Sequence, residues 1–132
     1  LFNEKNNGLT VLNLINKKLL KSVHDVSSGG IILALSEMCF FNKIGAIVNL
    51  PNNNIKKHEY LFGEDQSRYI IEVEEKNVEN VGKILMTNNV YFEKIGKTQK
   101  NTFEIKNEFK INLNKLEQLH RYWFNAYFKE NL

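Results

Sequence analysis

Leu9, Leu12, Ile15 and Leu19 recur three and four residues apart early in the chain, the spacing that lines one face of an α-helix; the polar residues before them read as a frayed start. Residues 20–24 read as a short extended segment that runs into His24-Asp25-Val26-Ser27-Ser28-Gly29-Gly30. Over residues 29–41 apolar side chains fall on nearly every face, which predicts a helix buried on most sides, with Leu35 and Met38 inside and Ser27 or Ser28 as its cap. Residues 45–50 predict a strand, stopped by Pro51 and the turn-forming Asn52, Asn53 and Asn54. A short helix over 55–62 follows. Residues 68–74 then alternate as a sheet strand does, Tyr69, Ile71 and Val73 on one face and Ile70 and Glu72 on the other. Residues 76–87 predict a helix with Val78, Val81 and Leu85 on one face, ended by Asn88 and Asn89.

Residues 90–95 and 102–106 predict paired strands around a polar turn, with a third strand over 109–113. A last helix begins at Asn114, with Glu117 three residues on as a capping box. Its stripe of Leu116, Leu119, Trp123, Phe124 and Tyr127 serves either as core packing or as a docking face for a neighbouring domain. Helices alternating with strands predict an α/β or α+β fold: a layered α/β/α domain with a mixed or antiparallel sheet and the 29–41 helix on one face. No internal repeat is visible. The 132 residues suit a single domain spanning 1–132.

Composition narrows the class. A hydrophobic share of 42% and a charged share of 25% exclude disordered, collagen-like and coiled-coil chains. The longest apolar run, residues 31–35, is far shorter than the ~20 residues of a membrane helix, so no membrane role is expected. The start has no initiator Met, no basic region and no apolar targeting segment, so a fragment of a longer chain is expected. The single Cys39 excludes an internal disulfide framework and a multi-cysteine zinc site, and fits the cytoplasm. A net charge of +3, scattered along the chain, is no footprint for nucleic acid. Asn, Lys and Ile make up 48 of the 132 residues and Arg only two, so an Arg that persists against that drift is informative.

Two polar clusters can carry chemistry. The first, residues 24–30, places Asp25, Ser27, Gly29 and Gly30 where an extended segment meets a buried helix. Helix-start N–H groups and the helix dipole suit a phosphate there, Asp25 suits Mg²⁺ and Ser27 offers a hydroxyl; a plain capped turn uses the same residues. His24 beside them reads as a hydrogen-bonded structural histidine or as a catalyst. The second cluster is Gly63-Glu64-Asp65-Gln66-Ser67-Arg68. Its carboxylates, carboxamide, hydroxyl and guanidinium can grip a metal-phosphate group from several sides, or Arg68 can pin the strand start through an internal ion pair. His58 and His120 stand alone on helices as polar positions, and Cys39 reads as an inert core thiol.

VHDVSSGGIILALSEMCFFNKIGA followed by LFGEDQSRYIIEV resembles the C-terminal domain of the phosphoribosylformylglycinamidine synthase family, within the AIR synthase-related superfamily; NLNKLEQLHRYW is similar to that family's closing helix. Ser28 stands where the family's HDVSDGG has Asp, so no acidic role carries over to it. The resemblance implies a ligase of purine biosynthesis. Such an enzyme uses ATP to activate the amide oxygen of formylglycinamide ribonucleotide as an iminophosphate, and ammonia from glutamine then yields formylglycinamidine ribonucleotide, ADP and phosphate. It also implies that this chain is the last domain only. That domain contributes no catalytic residue, is inactive alone, and belongs to a half carrying an auxiliary nucleotide site, where ATP or ADP with Mg²⁺ would meet Asp25, Ser27, Gly29 and Gly30, with Asp25 on the metal. His24 and Gly63 to Arg68 match the motifs without individual roles. The implied partners are the other domains of the same chain, a glutaminase subunit and a small accessory subunit. From size and charge alone, a stand-alone α/β ligand-binding or regulatory module is the alternative.

Overall fold

A computed structural model describes residues 2–51 and 54–130, the last through its backbone only, so Asn52 and Asn53 of the expected turn lie outside the described residues. The elements in chain order are α1 (Phe2–Asn16), β1 (Ser22–Asp25), α2 (Gly30–Asn42), β2 (Ile44–Val48), α3 (Lys57–Phe62), β3 (Tyr69–Glu72), a 3₁₀ turn (Glu75–Asn77), α4 (Val78–Thr87), β4 (Gly96–Lys100), β5 (Thr102–Ile105), β6 (Phe109–Asn112) and α5 (Leu113–Glu130). With one purely antiparallel sheet and one mixed sheet, the fold is α+β. These elements form two compact units, and the chain leaves the first for the second inside α2, between Met38 and Cys39.

The first unit holds α1, β1, the larger part of α2, α3, β3 and α4. Leu14, Val81 and Leu85 form its core, with Leu19, Leu20, Ile71, Val73, Ile84 and Val90 packed against them. The expected face of α1 is corrected here: Leu9, Leu12 and Ile15 are exposed, while Thr10, Val11 and Leu14 are buried. Apolar residues occur on both sides of this helix, and packing against α4, not periodicity, selects which side is covered. The helix also starts earlier than expected, at Phe2, and Leu19 lies beyond its end. Lys18 takes a left-handed conformation, and the Leu19 N–H turns back to the Leu14 carbonyl at 3.1 Å. Helix α4 keeps the expected stripe at Val81 and Leu85, and Asn88 ends it by donating its backbone N–H to Ile84 O at 3.1 Å. In α2, Leu35 is buried as expected, Met38 only half so, and Phe41 is almost fully exposed.

The second unit is a four-stranded sheet in the order β4-β2-β5-β6, with α5. The expected hairpin is corrected. Residues 90–95 make no strand; β4 starts at Gly96, and β4 and β5 pair with opposite edges of β2 instead of with each other. The Ile- and Val-rich β2 takes the interior position, antiparallel to β4 and parallel to β5, while lysine-bearing β4 takes the edge. Val48, Phe103 and Ile105 are its most deeply buried side chains. The start of α5 differs as well: Asn112 Oδ1 accepts the N–H groups of Asn114 and Lys115, at 3.0 and 3.4 Å. Glu117 does not close a capping box. It is buried among cations, hydrogen-bonded by Lys43 and, at 2.8 Å, by Arg121 Nε, and those bonds hold its carboxyl below the usual carboxylate range. Beyond it, Leu119, Tyr122, Trp123, Phe124, Tyr127 and Phe128 are all exposed, and neighbouring rings stack on one another, Phe124 and Phe128 with centroids 4.5 Å apart. Core packing therefore does not account for the aromatic stripe.

Candidate functional site

Both polar clusters lie in the first unit, and β-pairing brings them together. Strand β1 runs antiparallel to β3, with His24 opposite Ile70 and Asp25 opposite Tyr69, and the ladder extends to a bond from Val26 N–H to Arg68 O at 2.9 Å. Val26 and Ile70 are buried, so the apolar member of each motif anchors the junction while Asp25, Ser27 and Ser28 face outward.

Among the described residues neither serine side chain caps α2; the Gly30 N–H closes a turn onto Ser27 O at 3.0 Å. Gly29 and Gly30 both have left-handed backbones, with φ of +78° and +69°. A β-carbon on Gly30 would lie 2.6 Å from Leu61 O, against the end of α3; on Gly29 it would lie 2.8 Å from Leu33 Cβ. The Gly29 N–H, one of the donors expected to await a phosphate, is already bonded to Glu64 Oε1 at 2.8 Å, across 35 residues.

Most residues of the second cluster are consumed in holding their own loop. Gly63 ends α3 by donating its N–H to Glu59 O at 3.0 Å. Arg68 Nη2 donates to Gly63 O and lies 3.4 Å from Asp65 Oδ2, while its Nε donates to Asp65 O at 3.4 Å. Ser67 sits at a left-handed φ of +72°, held by Asn7 of α1, whose amide donates to Ser67 O at 2.9 Å and to its hydroxyl at 3.3 Å. Gln66 is exposed. Of the two readings of Arg68, the internal brace is the one its contacts describe. Earlier in α3, burial first and then Glu93, 3.3 Å away, push the Tyr60 phenol above its ordinary pKa.

His24 is wedged between acceptors, with Nδ1 2.6 Å from Asp25 O and 3.6 Å from Asp25 Oδ1, and Nε2 3.2 Å from Glu37 Oε2 of α2. It thereby ties the end of β1 to α2. The Asp25 side chain is 66% exposed and offers carboxylate oxygen of the kind Mg²⁺ takes. Among the described residues no three of His, Cys, Asp and Glu are grouped to hold a metal. Asp25 and the exposed Ser27 thus fit as partial contacts to a metal-bound phosphate. Gly29 and Gly30 fit as the residues that shape the turn.

The family model described as AIR synthase related protein, C-terminal domain, matches residues 2–106. The chain belongs to that family. Over 127 residues it is 50% identical to the phosphoribosylformylglycinamidine synthase subunit PurL of Pelagibacter ubique (strain HTCC1062), covering 96% of this chain and 17% of that protein. It is 36% identical over 124 residues to the same subunit of Rhodopseudomonas palustris (strain BisB5), covering 94% and 17%. The chain therefore spans about one-sixth of the length of these relatives. Its fold matches part of Thermotoga maritima PurL. The structure complexed with FGAR has a TM-score of 0.74 at 19% identity, covering 86% of this chain and 20% of the other; the one complexed with ATP has 0.73 at 18%, covering 85% and 21%. In this AIR synthase related domain, one residue that holds the second cluster escaped the sequence reading. Asn7 lies in the polar start taken as frayed, among many asparagines, and no local signal separates it from them.

Proposed function

We propose that this chain is the C-terminal domain of a longer phosphoribosylformylglycinamidine synthase, an ATP-dependent carbon-nitrogen ligase of purine biosynthesis acting in the cytoplasm. The 50% identity to a PurL subunit along nearly the whole chain carries this reading. On it, the full protein converts formylglycinamide ribonucleotide, ATP and glutamine-derived ammonia to formylglycinamidine ribonucleotide, ADP and phosphate. Its partners are the remaining domains of its own chain, a glutaminase subunit and a small accessory subunit. A structure titled PurLQS among the fold neighbours supports a multi-subunit assembly.

Within that enzyme the domain helps form an auxiliary nucleotide site. Asp25 supplies an oxygen ligand to Mg²⁺ on ATP or ADP, Ser27 offers its hydroxyl to a phosphate, and Gly29 and Gly30 give the turn its shape. The exposure of Asp25 and Ser27 at the mouth of α2 supports this assignment. The separate 132-residue chain should form no product from substrate, ATP and ammonia, because proximity catalysis needs groups it does not contain; product above a heat-killed control would refute this.

Nucleotide-dependent melting of the full-length protein tests the site. A ligand bound only to the folded state at a hundred times its Kd stabilises it by roughly 2.7 kcal/mol. We expect ADP with Mg²⁺ to raise the wild-type melting temperature and Asp25→Asn to lose most of that shift. Equal shifts in both would remove Asp25 from the site.

A further inference from the structure

We infer that Glu64 is a positioning residue that sets the Gly29–Gly30 turn for the residues beside it, and that the second cluster exists to present this carboxylate. The inference rests on the nucleotide reading of Asp25 and Ser27 but adds a residue to which that reading assigns no role. Glu64 Oε1 accepts the Gly29 N–H at 2.8 Å from a loop 35 residues further along the chain. The turn it holds has two consecutive left-handed glycines, residues with more backbone conformations open to them than any other type.

The loop carrying Glu64 is braced from three directions. At its start, the Gly63 N–H is fixed to Glu59 O and the Gly63 carbonyl receives Arg68 Nη2. In its middle, Asp65 meets the same guanidinium through backbone and side chain. At its end, Asn7 holds Ser67, and Arg68 O receives the Val26 N–H. Gly30 lies so close to Leu61 and Phe62 that a single β-carbon would collide with their backbone. A braced loop thus grips the two-glycine turn at one hydrogen bond and one backbone contact. Asp25 and Ser27 lie just before the gripped turn, so the segment that carries them is held at β1 on one side and by the grip on the other.

The grip is a hydrogen bond from a backbone N–H to an acceptor oxygen, which a carboxamide oxygen also supplies, though a carboxylate accepts more strongly. Glu64→Gln keeps an acceptor and Glu64→Ala removes it. In the full-length protein we expect Glu64→Ala to speed hydrogen exchange at the Gly29 amide by roughly tenfold and to weaken ADP-Mg²⁺ binding, read from the melting shift, by a similar factor. Glu64→Gln should restore both to within about threefold of wild type. Unchanged Gly29 exchange in Glu64→Ala overturns the inference, as does a full nucleotide shift in Glu64→Ala when Asp25→Asn abolishes it. Failure of Glu64→Gln to rescue also overturns it, because the charge would then be what matters. If wild type shows no nucleotide shift, the nucleotide reading falls and this inference falls with it; loss in Asp25→Asn without loss in Glu64→Ala removes this inference alone.

Discussion

The paired motifs of the first unit and the aromatic end of α5 in the second invert what composition alone leads one to expect. The run Gly63 to Arg68 is polar throughout, yet Arg68 is bonded to the Gly63 and Asp65 carbonyls, Glu64 to the Gly29 N–H, and Ser67 to the Asn7 amide. The run from Leu119 to Phe128 is rich in rings, yet Tyr122, Trp123 and Tyr127 are each about 60% exposed. Polarity therefore does not mark unbonded side chains in this domain, nor aromaticity its core. Hydrogen-bonding capacity is what ties the motif region down, since each bonded N–H or carbonyl removes a loop degree of freedom. Trp123, Phe124, Tyr127 and Phe128 stack on neighbouring rings of the same helix, and six exposed large apolar side chains on one helix form the kind of patch that marks an interaction surface.

The strongest test of this contrast sets a fully buried residue of the first unit against the exposed helix. Leu14→Ala should cost about 2–5 kcal/mol by urea unfolding, whereas Trp123→Ala should stay within about 0.5 kcal/mol. A cost above about 2 kcal/mol at Trp123 would mean that the aromatic stripe is core after all.

Next comes the turn itself. Gly30→Ala places a β-carbon 2.6 Å from Leu61 O at a left-handed φ, and about 1–3 kcal/mol of strain is expected. Gly29→Ala places a β-carbon 2.8 Å from Leu33 Cβ, an atom no rotamer change moves, at a left-handed φ of +78°, and should cost a similar amount. A cost within about 0.5 kcal/mol at either position would show that the turn relaxes to take a β-carbon.

The exposed rings should make the 132-residue chain self-associate, and Trp123→Lys with Phe124→Lys should weaken that association by about tenfold. Sedimentation velocity across a concentration series reads this out, and a clean wild-type monomer at the highest concentration would count against α5 as a sticky surface.

The smallest effect is electrostatic. Hydrogen bonds from Lys21 and Lys76 pull the Glu74 carboxyl down to about 2. Its folded pKa lies below the ordinary value of ~4.3, so its contribution is present above that value and fades as pH falls from about 5 towards 2. The pair is partly exposed and screened by salt, so the contribution is small. Glu74→Gln should flatten that part of the stability profile, and an unchanged acid limb would remove Glu74 from the account.

Much of the fold is legible in the sequence where pattern and packing agree. The 29–41 helix, the strand at Tyr69–Glu72 and the helix carrying Val81 and Leu85 all appear near their expected places. The misses fall where two local solutions are equally good. In α1, apolar residues lie on both sides of the helix, and contact with Val81 and Leu85 of α4 chooses the side that carries Leu14. In β4, Gly-Lys-Thr-Gln-Lys has no apolar alternation, because an edge strand can be held by its ladder to β2 alone. At α5, Asn112 competes with Asn114 for the cap and Lys43 draws Glu117 away. The candidate site divides in the same manner. Its motifs stand out as polar runs beside apolar ones, but the bond that links them spans 35 residues and has no periodic signature.

The topology of the second unit has a consequence in time. Strand β2 ends at Val48, and its partners β4 and β5 begin at Gly96 and Thr102. At ribosomal speeds of about 5–20 residues per second, β2 emerges with both edges bare some 2–10 s before either partner exists. The segment made in the interval, α3 to α4, belongs to the other unit and can complete its own core around Leu14 meanwhile. The order of folding is therefore written into the order of synthesis: the unit bearing the motifs closes first, and the mixed sheet follows as a late, long-range event. Pulse-labelled exchange on stalled nascent chains ending near residue 94, extended by enough linker to clear the exit tunnel, should find the Val81 and Leu85 amides protected and the Ile47 and Val48 amides open.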